Sequence, residues 1–256
     1  MSRKTKRMEK QKNISKNISL ILMTIFLVIL IFSLIQIIRW IINNNKTEKV
    51  LSEISDAINI EEKSNGDELK YIIDFEKLKS KNKDIIGWLK VNNTNIEYPI
   101  VKSNDNNFYL THSIDKSNNT AGWPFVDFRN KIDGADKNIV IYGHNRKDKS
   151  MFGTLQNILN EKWYNNDENS KIIFITENEN VTYEVFSVYK TKNEDYYIQT
   201  DFKDNTNYDE FIKTIKGRSL KNFNVEVTSN DNILTLSTCA NNNKYRVVLH
   251  AKKNSQ

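Results

Sequence analysis

Residues Asn232 to Ala251 read NILTLSTCANNNKYRVVLHA and contain the single cysteine of the chain, Cys239. Apolar and polar side chains alternate up to this cysteine, which is typical of a strand with two different faces. The polar segment Ala240 to Lys244 predicts a turn, and Tyr245 to Ala251 predicts a second strand. A short connection favours antiparallel pairing, so we expect Cys239 and Arg246 to lie near each other on strands about 5 Å apart. Taken alone, the stretch fits a half-buried cysteine beside a solvated arginine as well as a reactive site.

Further short strands separated by polar turns are predicted upstream of this hairpin. The candidate segments are residues 85–91, 96–101, 122–128, 138–144, 171–175, 181–190 and 224–227. Together with the terminal pair they make nine candidate segments, enough for about eight short strands. This pattern indicates a mainly β domain, folded as a closed or nearly closed β-barrel with flanking helices.

Helical patterns lie between and before the strands. Asn43 to about Asp67 has apolar residues at roughly helical spacing, and a short helix capped by Asp74 is predicted to reach Asn82. Further helices are predicted at Met151 to Leu159 and at Tyr208 to Lys216. The last of these carries its apolar residues at amphipathic spacing and precedes the terminal pair of strands.

The N-terminal region has the composition of a membrane anchor. Residues 1–16 hold seven Lys or Arg side chains and one acid, and removing them leaves 31 basic and 31 acidic residues, so the remainder is neutral. The net charge of +6 therefore reports a basic tail and does not indicate nucleic-acid binding. Residues 18–38 carry no charge and, as a helix, would span about 30 Å, the thickness of a bilayer core.

A cleaved signal peptide is the alternative interpretation of this segment. Such a peptide has a shorter apolar run followed by a small-residue cleavage site, whereas here Arg39 and Trp40 follow directly. The sequence therefore predicts a basic cytoplasmic tail at 1–17, a single-pass transmembrane anchor at 18–38, an extracellular stalk with an N-terminal helix at 39–70, and a folded extracellular domain at 71–256.

Candidate catalytic residues are few. A lone cysteine outside the cytoplasm indicates intermolecular pairing or a reactive thiol, and a thiolate needs a nearby base such as histidine. His144 ends a predicted strand before a polar loop, which suits a cleft, whereas His112 lies in a polar loop and His250 lies further along the last strand. We find no spacing typical of metal ligands and no phosphate or dinucleotide loop, so no metal or cofactor is predicted.

These residues resemble those of the sortases. The resemblance rests on TLSTC at 235–239, the downstream Arg246 in YRVV, and IYGHN around His144. Further stretches are similar to class B sortases in particular: DIIGWLKV (84–91), FYL (108–110), GWPFVDFRN (122–130), MFGTL (151–155) and YKTKNEDYYIQTDF (189–202). The resemblance covers roughly residues 70–256. It implies an eight-stranded sortase barrel with N-terminal helices and, typical of class B, an extra helix before the penultimate strand.

The resemblance also implies a function. Sortases are cysteine transpeptidases that cleave a C-terminal sorting motif of secreted proteins after its Thr, hold the acyl group as a thioester, and pass it to a peptidoglycan amine. By motif, Cys239 would be the nucleophile, His144 the general acid and base, and Arg246 the group that steadies the carbonyl or oxyanion. The implied substrate-binding residues are Ser237, Tyr197, Ile198, Asn106 and Leu110.

Two features depart from the class B pattern, and two other functions stay open. The loop between Cys239 and Arg246 is short, and Ala240 stands where relatives can carry an acid. A cell-wall cysteine hydrolase would use the same residues with water as the acceptor. An anchored binding or scaffold protein would not need Cys239.

Overall fold

The structure is a computed structural model that describes residues 3–55, 57–61, 70–240 and 244–254. Within these ranges, the side chains of residues 3–15, 55, 58–61, 70, 239 and 240 lie outside the description. The chain divides into two compact units, Met1–Glu48 and Lys49–Gln256.

The first helix, α1, runs from Arg3 to Ser55 and contains the predicted membrane segment. Its residues from Lys16 to Ile54 include a stretch long and apolar enough to cross a membrane. The large apolar side chains between residues 18 and 38 are exposed, for example Leu22 and Phe26. By length and composition the helix therefore suits a bilayer.

The predicted stalk helix from Asn43 to about Asp67 is wrong in its C-terminal part. Helix α1 ends at Ser55, and Ile58–Glu61 forms a strand, β1, that pairs antiparallel with β2, Lys70–Ile73. Alternation of Ile58, Asn59 and Ile60 fits a strand as well as a helix, and pairing with β2 selects the strand. Asp67 lies outside the described residues.

The predicted barrel is confirmed. Its strands are β3 (Ile85–Val91), β4 (Glu97–Val101), β5 (Phe125–Val126), β6 (Asn138–Tyr142), β7 (Lys171–Thr176), β8 (Asn180–Lys192), β9 (Ile233–Ala240) and β10 (Tyr245–Lys253). They close in the order β10-β8-β7-β3-β4-β5-β6-β9. Interior side chains such as Ile85, Leu89 and Leu236 are fully buried and form the core.

The helices near the barrel agree largely with the predictions. Helix α2, Phe75–Lys81, begins as expected at Asp74, whose carboxylate accepts a bond from the Lys77 amide at 2.9 Å. Helix α3 is a single turn, Glu161–Tyr164. Helix α4, Asn205–Gly217, precedes β9 as class B predicts. Its four predicted apolar residues, Tyr208, Phe211, Ile212 and Ile215, are buried.

Two predicted elements differ from the structure. The predicted helix from Met151 to Leu159 is reduced to a 3-10 turn at Leu155–Leu159, because Met151 forms a β-bridge with Asn145. The predicted strand at residues 224–227, a segment described throughout, is irregular. Lysine ammonium groups satisfy its carbonyls instead of a neighbouring strand: Lys216 donates to Val225 and Lys252 to Glu226, each at 2.8 Å.

Candidate active site

Two parallel strand ends meet at one edge of the barrel. Strands β6 and β9 pair in parallel, with Tyr142 opposite Ser237. Beyond this pair, the Gly143 amide donates to the Ser237 carbonyl at 3.3 Å, and the buried Thr238 hydroxyl donates to the Gly143 carbonyl at 2.6 Å. These bonds fix the backbone immediately before His144 and Cys239, so both residues leave the barrel at the same edge.

The antiparallel pair predicted for the C-terminal hairpin is confirmed, and its register places Arg246 directly opposite Cys239. Directly opposed residues project from the same face of a sheet, with Cβ atoms about 5 Å apart. Arg246 is half-buried and donates from its guanidinium to the Tyr245 carbonyl at 3.1 Å. The Cys239 side chain lies outside the described atoms, so the proximity of these two residues is inferred from the strand register alone.

The half-buried His144 ring is oriented by a backbone carbonyl. Its Nε2 lies 2.7 Å from the Leu110 carbonyl oxygen. A carbonyl can only accept, so Nε2 carries a proton and the lone pair of the neutral ring lies on Nδ1. The Phe152 amide donates to the His144 carbonyl at 3.0 Å, which closes the loop after the histidine.

Gly122 lies against the His144 ring. Its φ is +61°, and a Cβ at this position would lie 2.5 Å from the Tyr109 carbonyl oxygen and 2.8 Å from Cδ2 of His144. Only glycine fits both this backbone conformation and this contact.

We therefore expect Gly122→Ala to lower kcat/KM about 100-fold by displacing the ring of His144, which the sequence predicts to be the general acid and base, since small misplacements of such a group have effects of this order. The measurement is steady-state turnover of a sorting peptide. Gly217→Ala is the matched control, because nothing lies within 4 Å of a Cβ there, and its activity should equal that of the wild type. Full activity of Gly122→Ala would contradict this account of His144.

Ser237 and Tyr197, both predicted to bind substrate, lie together. The Ser237 hydroxyl is 3.0 Å from the Tyr197 hydroxyl, and both side chains are buried. Ile198 is half-buried, and its carbonyl accepts a bond from the Arg129 guanidinium at 2.9 Å. Ser237 and Tyr197 thus lie together near the end of β9, and Ile198 follows Tyr197 in the chain.

Asn106 and Leu110 lie on the segment that contacts His144. The Asn106 side chain donates to Asp127 at 3.0 Å and accepts from the Phe128 amide at 3.0 Å. Leu110 is 37% exposed, and its backbone carbonyl binds His144.

The sequence does not predict this carbonyl, Gly122 or the buried Asp127 as parts of the site. The one signal available for Asp127 was its place in the VDFRN run, two residues before an arginine.

The other two histidines have structural roles. His112 stacks on Phe108 with ring centroids 4.1 Å apart. His250 is fully buried between the hydroxyls of Tyr189, at 2.9 Å, and Thr235, at 2.8 Å. Among the residues that the structure describes, no group of three metal-ligating side chains is close enough to hold a metal ion.

Burial lowers the pKa of His250 to about 3, so folding favours its neutral form. Unfolded histidine takes up a proton near pH 6.5, and stability is therefore lost as the pH falls below that value. We expect the free energy of unfolding to drop by about 2 kcal/mol more in the wild type than in His250→Gln between pH 7 and pH 5. Urea denaturation at the two pH values measures this difference, and equal losses would contradict the assignment.

Comparison with known proteins identifies the family. Residues 89–254 match the model of the sortase domain. Sortase B of Listeria monocytogenes is 37% identical over 191 residues, which cover 73% of this chain and 76% of the relative. Sortase B of Staphylococcus aureus is 39% identical over 166 residues, which cover 64% of this chain and 67% of the relative.

Solved structures agree as well. Sortase B of Bacillus anthracis in complex with AAEK1 has a TM-score of 0.73 at 34% identity, covering 84% of this chain and all of that one. A sortase B–substrate complex of S. aureus and a sortase B complexed with triglycine each have a TM-score of 0.67 at 35% identity. Each match covers 71% of this chain. It covers 85% of the chain in the substrate complex and 86% of the chain in the triglycine complex. The chain therefore belongs to the sortase family, in class B, the cysteine transpeptidases that attach proteins to the cell wall.

Proposed function

We propose that Cys239 is the nucleophile of this sortase, His144 its general acid and base, and Arg246 the group that stabilises the oxyanion. The observation that carries the proposal is the convergence of three strand ends at one edge of the barrel. The parallel pair β6–β9 supports a shared site for His144 and Cys239, and the β9–β10 register supports Arg246 as their neighbour.

In the first half-reaction the Cys239 thiolate attacks the carbonyl carbon of the Thr in the sorting motif. The guanidinium of Arg246 stabilises the negative charge that develops on the carbonyl oxygen. The C–N bond then breaks, the departing amine takes a proton from the His144 imidazolium, and a thioester remains on Cys239.

In the second half-reaction an amine attacks the thioester carbonyl. Neutral His144 accepts the proton of this amine through Nδ1, since Nε2 is engaged by the Leu110 carbonyl. The thiolate leaves, and the new amide bond joins the substrate to the acceptor. Two walls would hold the sorting motif: Ser237, Tyr197 and Ile198 on one side, and Asn106 with Leu110 on the other.

The partners proposed for this chain follow from its relatives. Sortase B has been solved with a substrate and with triglycine, a peptide that carries a free amine. We infer that the substrates are secreted proteins bearing a C-terminal sorting motif, and that the acceptor is an amine of peptidoglycan. We also propose that residues 18–38 anchor the enzyme in the cell membrane, with tail 1–17 in the cytoplasm and catalytic domain 71–256 outside.

The test uses the full chain in detergent with a library of Pro-containing peptides that include Thr, with and without triglycine. We expect peptide cleavage, a thioacyl adduct on Cys239 in the mass spectrum, and a peptide–triglycine conjugate when the amine is present. If triglycine changed neither the cleavage rate nor the product, that result would contradict transpeptidation and favour a hydrolase with water as the acceptor.

A further inference from the structure

The carboxylate of Asp127 is a buried hydrogen-bond hub outside the proposed catalytic trio. Asp127 directly follows β5, and its side chain has no exposed surface. One oxygen accepts bonds from Asn106 Nδ2 at 3.0 Å, the Tyr142 hydroxyl at 2.8 Å and the Arg129 guanidinium at 2.7 Å. The other accepts from Arg129 Nε at 2.8 Å and the Arg129 amide at 3.0 Å.

Burial opposes the negative charge of this carboxylate, but the bonds from Arg129 and Tyr142 outweigh it. The pKa of Asp127 is consequently below its ordinary value, and the group is ionised near neutral pH. A buried carboxylate that is fully hydrogen-bonded holds its donors in one geometry, because any donor that leaves exposes an uncompensated charge.

The donors to Asp127 come from three different segments. Asn106 lies on the segment that continues to Leu110, the partner of His144. Tyr142 ends β6, two residues before His144 and opposite Ser237. Arg129 also donates to the Ile198 carbonyl at 2.9 Å and so extends the hub to the segment that carries Tyr197.

These contacts form a closed circuit. From Asp127 it runs through Arg129 to Ile198 and the adjacent Tyr197, then through the Tyr197–Ser237 hydroxyl pair to β9. The pairing of Ser237 with Tyr142 and the Tyr142–Asp127 bond complete it. Asn106 joins at the same carboxylate, so residues of both proposed walls are held by one charged group.

We propose that Asp127, acting through Arg129, is a positioning residue that sets the separation of the two walls of the substrate groove. This inference rests on the proposed function, since it concerns the groove of that site. Neither residue needs to touch the reacting atoms. Their effect is on how well the sorting motif is held.

Arg129→Gln tests this most cleanly, because it removes the bridge to Ile198 but leaves the bonds from Asn106 and Tyr142 to Asp127. We expect KM for the sorting peptide to rise about tenfold, equivalent to about 1.4 kcal/mol, with kcat within about twofold of the wild type. Amide hydrogen exchange at residues 196–199 should become faster. Near-UV circular dichroism and the rate of Cys239 alkylation by iodoacetamide should both match the wild type, which establishes that the variant is folded with its thiol site intact.

Lys252→Gln is the matched control. Lys252 likewise links a carboxylate, Asp231 at 3.2 Å, to a carbonyl of another segment, Glu226 at 2.8 Å, but at the opposite end of β9. The KM of Lys252→Gln should equal that of the wild type. An unchanged KM in Arg129→Gln, or the same rise in Lys252→Gln, would overturn the proposal. A wild type that does not turn over the peptide would instead overturn the proposed function.

Asp127→Asn provides a second, independent variant. The amide has nearly the same shape but no negative charge. Its N–H group faces donors of Arg129 alone in one orientation and donors of Asn106, Arg129 and Tyr142 in the other. We expect a larger rise in KM than in Arg129→Gln, and faster hydrogen exchange at both residues 105–110 and residues 196–199. Faster exchange in only one of these two segments would contradict the proposal that Asp127 holds both.

Discussion

Replacement of Cys239 by alanine is expected to lower transpeptidation by at least about 10⁴-fold, since removal of a catalytic nucleophile has effects of this order or larger. Alanine cannot form the thioester, and the other groups of the site cannot replace that covalent step. The backbone at this position is held by the register with Arg246 and by the neighbouring Thr238–Gly143 bond, so the fold should persist.

Two measurements separate lost chemistry from lost binding. Sorting-peptide affinity, measured by fluorescence anisotropy, should stay within about threefold of the wild type, while turnover and the thioacyl adduct both disappear. Cys239→Ser should also be nearly inactive, because a serine hydroxyl is a much weaker nucleophile without a site built for it. Residual activity above about 1% in Cys239→Ala would contradict the assignment and indicate a different nucleophile.

Arg246→Lys is expected to lower kcat about 100- to 1,000-fold, the range seen when one oxyanion donor is removed. Lysine keeps the positive charge but loses the planar fork of donors, and its ammonium group sits on a differently shaped side chain. The loss should therefore fall on kcat more than on KM, because the oxyanion exists only in the transition state and the intermediate.

Lys192→Gln is the control for net charge near Arg246. Lys192 is exposed on β8, opposite Tyr245, so the variant removes a positive charge one position from the arginine in the sheet. Its kcat should stay within about twofold of the wild type, as expected for a screened surface charge. Equal losses in the two variants would indicate that only the general positive potential matters.

The parts of the fold that the sequence predicts well are those with strong local patterns. The Cys239 hairpin, the cap at Asp74 and the amphipathic helix α4 each depend on residues a few positions apart. Residues 224–227 were misassigned because lysines from other elements satisfy their carbonyls. A contact of that kind has no local signature.

The candidate site follows the same rule. Cys239, His144 and Arg246 can be proposed from the sequence because their side-chain chemistry is distinctive. The Leu110 carbonyl could not be found, since every residue has a backbone carbonyl and only the fold brings this one to His144. Asp127 was overlooked because its importance comes from donors at positions 106, 129 and 142, which only the closed barrel assembles.

The parallel pairing of β6 with β9 has a consequence for how the enzyme matures. Parallel neighbours need a long crossover, which here includes β7, β8 and α4. Contacts so distant along the chain form late in folding, because the entropy of closing the intervening loop must first be overcome. We therefore expect the thiol and the imidazole to meet only as the barrel closes. In a partly folded chain the cysteine would lack its catalytic partners. It would therefore not attack carbonyl groups of neighbouring proteins to form a thioester.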